Sequence, residues 1–195
     1  MNVYDFDKTI YDGDSSMDFY RFCLRSDPRL MRFWPKQLWG LIGYQASGRA
    51  STRYKSFFLA YLRGVQNLPD VVARFWDEHR HKLKGWYLAQ KRADDVIISA
   101  SPEFLLRPIC AELGVSLIAT EVDGISGEIS GRNCRGNEKP LLFREKYPDA
   151  VIEEFYSDSN SDAPMAHLAA RAYFVRGDRR DAWEGIPGGK EPDKT

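Results

Sequence analysis

An α/β fold is predicted for this chain, with a mainly parallel sheet flanked by helices and a helical block inserted after the first strand. Three observations predict it. Short apolar runs recur near residues 2–6, 96–99, 117–119, 153–157 and 172–175, each the length of a buried strand. Two of them end in polar residues ahead of a helix-start signal: Asp5-Phe6-Asp7 before Asp14-Ser15, and Ser99 before Pro102. Between residue 15 and about residue 92 no strand alternation occurs, and apolar residues recur at helical spacing instead. Strands alternating with helices form parallel sheets, which place ligands at the carboxyl ends of their strands.

Taken in order, residues 2–6 read as the first strand. Tyr11-Asp12-Gly13-Asp14-Ser15 reads as a turn that caps a helix over 15–26. Leu30, Phe33, Leu38, Leu41 and Ile42, then Phe57, Phe58, Tyr61 and Leu62, then Val71, Val72, Phe75 and Trp76 give further helices, broken near Pro28, Gly48 and Pro69. Val96-Ile97-Ile98-Ser99 is the second strand, and Leu117-Ile118-Ala119 another. The Gly-punctuated segment 121–131 suggests a small hairpin or flap. Residues 153–157 form a further strand, and Ala172-Tyr173-Phe174-Val175 is expected to be the last. The polar stretch 185–195 reads as a loose tail. The expected layout is a core of 1–14 and 93–184 with a helical cap over 15–92.

Composition narrows the function classes. At 195 residues the chain suits one main core. Lys+Arg and Asp+Glu both number 28, so no global field favours nucleic acid, and no nucleic-acid partner is expected. Cys23, Cys110 and Cys134 are odd in number and lack zinc-ligand spacing, which favours buried, inert thiols. A strand starting at residue 2 leaves no room for a cleavable leader, and no apolar run approaches a membrane span. The expected location is cytoplasmic, with peripheral contact at the inner face of the membrane left open.

The candidate chemistry starts at Asp5 and Asp7, which project to one side of a strand end while Phe6 points inward. One carboxylate can act as nucleophile and the other as acid/base. Ser99, at another strand end, can donate its hydroxyl to a phosphate oxygen, helped by backbone N–H groups of the turn that begins at Ala100. Lys139 offers a compact positive charge for the same phosphate and for Asp5. Asp158 and Asp162, in Ser157-Asp158-Ser159-Asn160-Ser161-Asp162, suit an octahedral magnesium ion that keeps water ligands. Taken singly, Ser99 could be a helix cap, Lys139 a surface lysine, and Asp158 and Asp162 turn acids. Their order and placement together match a single phosphate-plus-magnesium site.

These four segments resemble, in order, the four motifs of the haloacid dehalogenase superfamily and its Rossmann-like core. The resemblance implies Asp5 as nucleophile, Asp7 as general acid/base, Thr9, Ser99, Ala100 and Lys139 at the phosphate, and Mg2+ held by Asp5, the Asp7 backbone carbonyl and Asp158, with Asp162 ligating or orienting water. Gly136-Asn137-Glu138-Lys139, Tyr156-Ser157-Asp158-Ser159-Asn160 and the insertion after the first motif are most similar to the phosphoserine-phosphatase-like branch, including its phosphatidylglycerophosphatase C group. Lys8 stands where many members have Gly, and Asp14 where phosphoserine phosphatases have Glu. Ser-Asp-Ser-Asn-Ser-Asp replaces their Gly-Asp-Gly-x-Asn-Asp, which points away from phosphoserine as substrate. Asp7 also discriminates against dehalogenation, whose halide leaving group needs no proton.

The expected activity is therefore hydrolysis of a phosphomonoester, with a small soluble metabolite as substrate. A membrane-associated lipid phosphatase is the alternative, and a non-catalytic phospho-ligand binding protein the alternative of another class. Asp14, Ser15, Arg49 and Arg53 are the candidate substrate contacts; Asp14 and Ser15 equally suit a helix cap, and a solvated helix face is the favoured reading of the two arginines. Residues 28–63 hold Trp34, Trp39, Tyr44, Arg32, Lys36 and Lys55 among others, and no Asp or Glu. Such a stretch suits an anionic membrane interface. The favoured reading is that Trp34, Trp39, Phe57, Phe58 and Tyr61 form the core of the cap with the basic residues at its rim.

Overall fold

In a computed structural model of the protein, residues 1–46 and 52–184 are described. Six strands, β1 (Asn2–Tyr4), β2 (Val96–Pro102), β3 (Ser116–Thr120), β4 (Ile152–Ser157), β5 (Ala169–Arg176) and β6 (Arg179–Ala182), form one sheet in the order β3-β2-β1-β4-β5-β6. β1 to β5 pair in parallel, and β6 is antiparallel to β5. The chain builds outward from β1 through β2 to β3, then crosses back to lay β4 on the other side of β1. That reversal opens a crevice at the carboxyl ends of β1 and β4, where such sheets bind ligands.

The fold class is the one predicted, with two corrections. β1 is shorter than residues 2–6: it ends at Tyr4, although the Asp5 N–H still donates to the Tyr156 carbonyl at 2.8 Å. The 172–175 run is not the last strand, because Arg179–Ala182 turns back as β6. Arg-Arg-Asp-Ala carries no apolar alternation, so nothing in its pattern marks an edge strand that is made by pairing alone. The flap appears as a bridge between Val122 and Ile129.

Both faces of the sheet are covered, following the strand alternation. Val3, Val96, Ile98 and Phe155 face Phe143, Met165 and Trp183. Tyr4, Ile97 and Tyr156 face the helical insertion and α6 (Glu103–Leu113). Tyr4, Tyr156 and Tyr173 lie in register on neighbouring strands and stack with ring centroids 4.8 and 4.9 Å apart, an aromatic ladder across the sheet. Cys23, Cys110 and Cys134 are buried free thiols, each pushed up to about 12 by burial, as inert cysteines are.

Between β1 and β2 lie helices α1 (Ser15–Ser26), α2 (Trp34–Ala46), α3 (Thr52–Phe58), α4 (Leu68–His79) and α5 (Gly85–Gln90). Asp14 caps α1, its side chain accepting from the Met17 N–H at 3.0 Å. Val71, Val72, Phe75 and Trp76 form the buried stripe of α4. Among the described residues no helix is long and apolar enough to cross a membrane. The expected break at Gly48 and the tail 185–195 lie outside the described residues.

α2 and α3 touch at glycine distance. A Cβ on Gly40 would meet the Phe58 backbone nitrogen at 2.6 Å and the Tyr54 carbonyl oxygen at 2.7 Å, and one on Gly43 would run into the Tyr54 ring. Gly40→Ala is therefore expected to destabilise the protein by about 1–3 kcal/mol through overpacking, despite the roughly 1 kcal/mol gained in helix propensity. Urea unfolding measures this; an unchanged midpoint would refute the tight α2–α3 contact.

Candidate active site

The carboxyl ends of β1, β2 and β4 meet the helical insertion around a cavity of about 380 Å³. Asp5, the first residue after β1, lines it and is nearly buried. Its Oδ1 accepts from Lys139 Nζ at 2.7 Å, and the same ammonium donates to Asp162 Oδ2 at 2.6 Å. Lys139 is 2 % exposed, placed there by the first turn of α7 (Glu138–Lys146). A buried charge must be paired, and here one lysine holds two carboxylates. Burial would lower the Lys139 pKa, but Asp5 and Asp162 more than reverse this and raise it. The Asp5 carboxyl is raised by burial against the opposing charge of Lys139.

Asp7 lines the same cavity in a different environment, and Phe6 between them is fully buried against Tyr11 and Trp76. Asp7 Oδ1 accepts from the Ser15 N–H at 2.6 Å, at the start of α1, and Oδ2 accepts from Ser101 Oγ at 2.5 Å. Burial raises the Asp7 carboxyl, the neighbouring Asp14 charge adds to this, and the Ser101 and Ser15 hydrogen bonds oppose it. Of the two carboxylates, one is therefore held by an ammonium and the other by neutral donors.

Ser99 is buried at the cavity wall, its Oγ accepting from the Ser101 N–H at 3.1 Å, and Ala100 also lines the cavity. Asp158 lines it too, and burial raises its carboxyl. Asp162 is buried, its Oδ2 shared between Lys139 and Ser157 Oγ. Asp5, Asp7, Ser99, Ala100, Lys139, Asp158 and Asp162 are thus brought together. Thr9 is not among them. It is fully buried outside the lining, and its Oγ1 accepts from the Asp158 N–H at 3.0 Å, so it fixes the loop after β4 rather than facing a phosphate.

The substrate candidates divide. Asp14 caps α1 and also lines the cavity, whereas Ser15 is fully buried with its Oγ donating to Ser101, and Ser16 takes its place at the wall. Arg53 is exposed, 5.5 Å above the Phe57 ring, and does not line the cavity; Arg49 lies outside the described residues. Three cations that sequence reasoning did not place there do line it: Lys8, Lys55 and Arg135. Lys55 Nζ donates to the Ala100 carbonyl at 2.5 Å and to Asn133 Oδ1 at 2.7 Å, so α3 is tied to β2 and to the segment that follows the flap at once. Ser101 was missed as well. Its only signal was adjacency to Ser99, whereas Lys55 and Arg135 carry no local pattern for a cavity wall.

Among the described residues no three Asp, Glu, His or Cys side chains form a metal cage. Magnesium does not need one: it is commonly held by one or two carboxylates, with waters and substrate oxygens completing the octahedron. Asp5 and Asp158 supply two carboxylates at one cavity. Lys139 contacts only Oδ1 of Asp5. This hard-oxygen donor set fits magnesium.

A family model described as haloacid dehalogenase-like hydrolase matches residues 3–167. Protein CicA of Caulobacter vibrioides is 36% identical over 108 residues, covering 52% of this chain and 44% of that protein. The chain thus spans less than half the length of that curated relative. Among solved structures, a protein of unknown function from Bordetella pertussis Tohama I superposes with a TM-score of 0.74 at 22% identity, covering 89% of this chain and 88% of that one. A phosphoserine phosphohydrolase-like protein from Francisella tularensis superposes at 0.60 with 13% identity, covering 91% and 88%. At these identities the structural likeness speaks for the fold.

Proposed function

Because the chain belongs to the haloacid dehalogenase-like hydrolases, we propose that it is a magnesium-dependent phosphomonoester hydrolase that works through an aspartyl-phosphate on Asp5. The observation that carries this reading is the split between two carboxylates in one cavity: Asp5 on the Lys139 ammonium, Asp7 on the Ser15 N–H and Ser101 Oγ. Carboxylates in unlike environments suit unlike roles.

In the first step an Asp5 carboxylate oxygen attacks phosphorus, the Asp5 O–P bond forms and the ester P–O bond breaks. Asp7 gives its proton to the departing oxygen. In the second step water attacks phosphorus, the Asp5 O–P bond breaks, and the water proton passes to Asp7. Lys139, Ser99 and the backbone at Ala100 bind and orient the phosphate. Asp5, Asp158 and the Asp7 carbonyl would hold magnesium, which supplies positive charge opposite the phosphate oxygens when bound. Asp162 keeps Lys139 in place and orients water. The leaving group would lie against Met17, Leu41, Tyr44 and Phe58, in a space suited to a small metabolite or a headgroup of that size.

The test is hydrolysis of aryl and alkyl phosphates with magnesium and after its removal by chelation. Wild type should turn over both only with the metal. Asp7→Asn should lose ~100-fold or more on the alkyl ester, whose leaving oxygen needs a proton, and clearly less on a nitrophenyl ester. Equal losses on both would remove Asp7 as the leaving-group acid. No turnover of any phosphoester by the wild type would favour a binding protein.

A further inference from the structure

We propose that the outer face of α2 docks on an anionic lipid surface, with the catalytic cavity beside it. The docking rests on the α2 face alone and goes beyond the hydrolase reading. α2 is inside out for a surface helix. An amphipathic helix ordinarily buries its large apolar side chains, yet the buried residues of α2 are Gln37 and Gly40. Gln37 donates to the Phe58 carbonyl at 3.1 Å and accepts from Tyr20 OH at 2.9 Å. Gly40 and Gly43 seat the helix on α3 with no room for a side chain between. The large residues point the other way: Trp34 is 48% exposed, Leu38 60%, Trp39 72%, Leu41 42% and Ile42 56%. A contiguous apolar face of this kind marks an interaction site.

Charge selects the occupant. Residues 28–63 contain no Asp or Glu. Arg32, Lys36 and Arg53 are exposed around the face, lie over Phe33 or Phe57, and among the described residues form no ion pair. A second copy packed here about a two-fold axis would set these cations against their own equivalents, because such an interface uses the same patch on both partners. An anionic bilayer surface meets both needs. Leu and Ile enter the acyl boundary, Trp is at home at headgroup depth, and Arg and Lys lie against anionic lipid. Leu41 belongs to the exposed face and also lines the cavity, together with Tyr44 and Gln45. Docking would therefore bring the wall of the cavity to the lipid, where phosphomonoester headgroups are presented.

The test is cosedimentation of the full chain with vesicles of phosphatidylcholine alone and of phosphatidylcholine mixed with phosphatidylglycerol. Wild type should pellet with the mixed vesicles only, and less so at high salt. The triple variant Leu38→Ser, Trp39→Ser, Ile42→Ser should partition at least ~100-fold more weakly while hydrolysing an aryl phosphate as wild type does, since none of these residues lines the cavity. Arg32→Gln with Lys36→Gln should weaken binding to the mixed vesicles by about tenfold or more. Absence of wild type from the mixed-vesicle pellet, or undiminished binding of the triple variant, would overturn the proposal. So would a solution dimer that dissociates in the triple variant without vesicle binding, which would assign the face to a second copy. Vesicle binding is read without catalysis, so failure of aryl phosphate hydrolysis by the wild type counts against the hydrolase reading alone.

Discussion

Asp5→Asn is expected to lower turnover of every phosphomonoester by at least ~1,000-fold, because an amide cannot form the acyl phosphate through which the reaction divides. The substitution is nearly isosteric. Its side-chain oxygen can still accept from Lys139, which keeps its bond to Asp162, so the fold should persist with a thermal midpoint close to wild type. Phosphate release under saturating magnesium, alongside a melting curve, separates lost chemistry from lost structure. A folded Asp5→Asn protein with full magnesium-dependent activity would rule out the covalent mechanism. Trapping of labelled phosphate on wild type, and none on the variant, is the positive result.

Lys139→Met should have the largest effect on stability. The side chains of Lys139, Asp5 and Asp162 are 2%, 11% and 3% exposed, so this is a buried ionic triad. Removing its cation leaves two buried carboxylates facing each other, at a cost of about 3–5 kcal/mol. The sign of the pH dependence follows from the carboxylates. With Lys139 gone, the folded-state value of Asp5 lies above that of the unfolded chain, since burial raises it even with the lysine present. A group raised on folding contributes stability below its unfolded value and loses it as pH rises through the folded one. The deficit should therefore shrink as the pH falls toward about 4, the ordinary aspartate range. Urea unfolding of wild type and variant in metal-free buffer across this range measures it. A deficit of constant size would assign the loss to packing rather than charge. Activity should be lost at any pH, because the phosphate loses its buried cation.

Much of the site was legible in the chain because parallel topology does most of the assembly. Asp5 follows β1, Ser99 ends the apolar part of β2, and Asp158 follows β4. Neighbouring parallel strands deliver their carboxyl ends to one edge whatever the intervening helices do. Lys139 and Asp162 follow the same logic, one in the first turn of α7 and the other just before α8 (Ala163–Ala166). Proximity in sequence to Asp5 and Asp7 did not reveal that the Thr9 side chain turns under the β4 loop. Of the two readings of Ser15, the structure favours the helix-start one: its backbone N–H, not its hydroxyl, serves Asp7, since the start of a helix offers free N–H groups.

The strand and helix alternation and the placing of polar residues at the carboxyl-end edge were legible in the chain, since both depend on local periodicity and on residues tied to strand ends. What covers each apolar face was settled by packing. Trp34, Leu38, Trp39, Leu41 and Ile42 carry a spacing that a core helix would share. Gly40 and Gly43, by letting α3 approach on the opposite side, turned that stripe outward. Periodicity fixes which residues share a helix face; which face lies inward depends on how closely a second backbone can approach, and that is a property of the assembled pair.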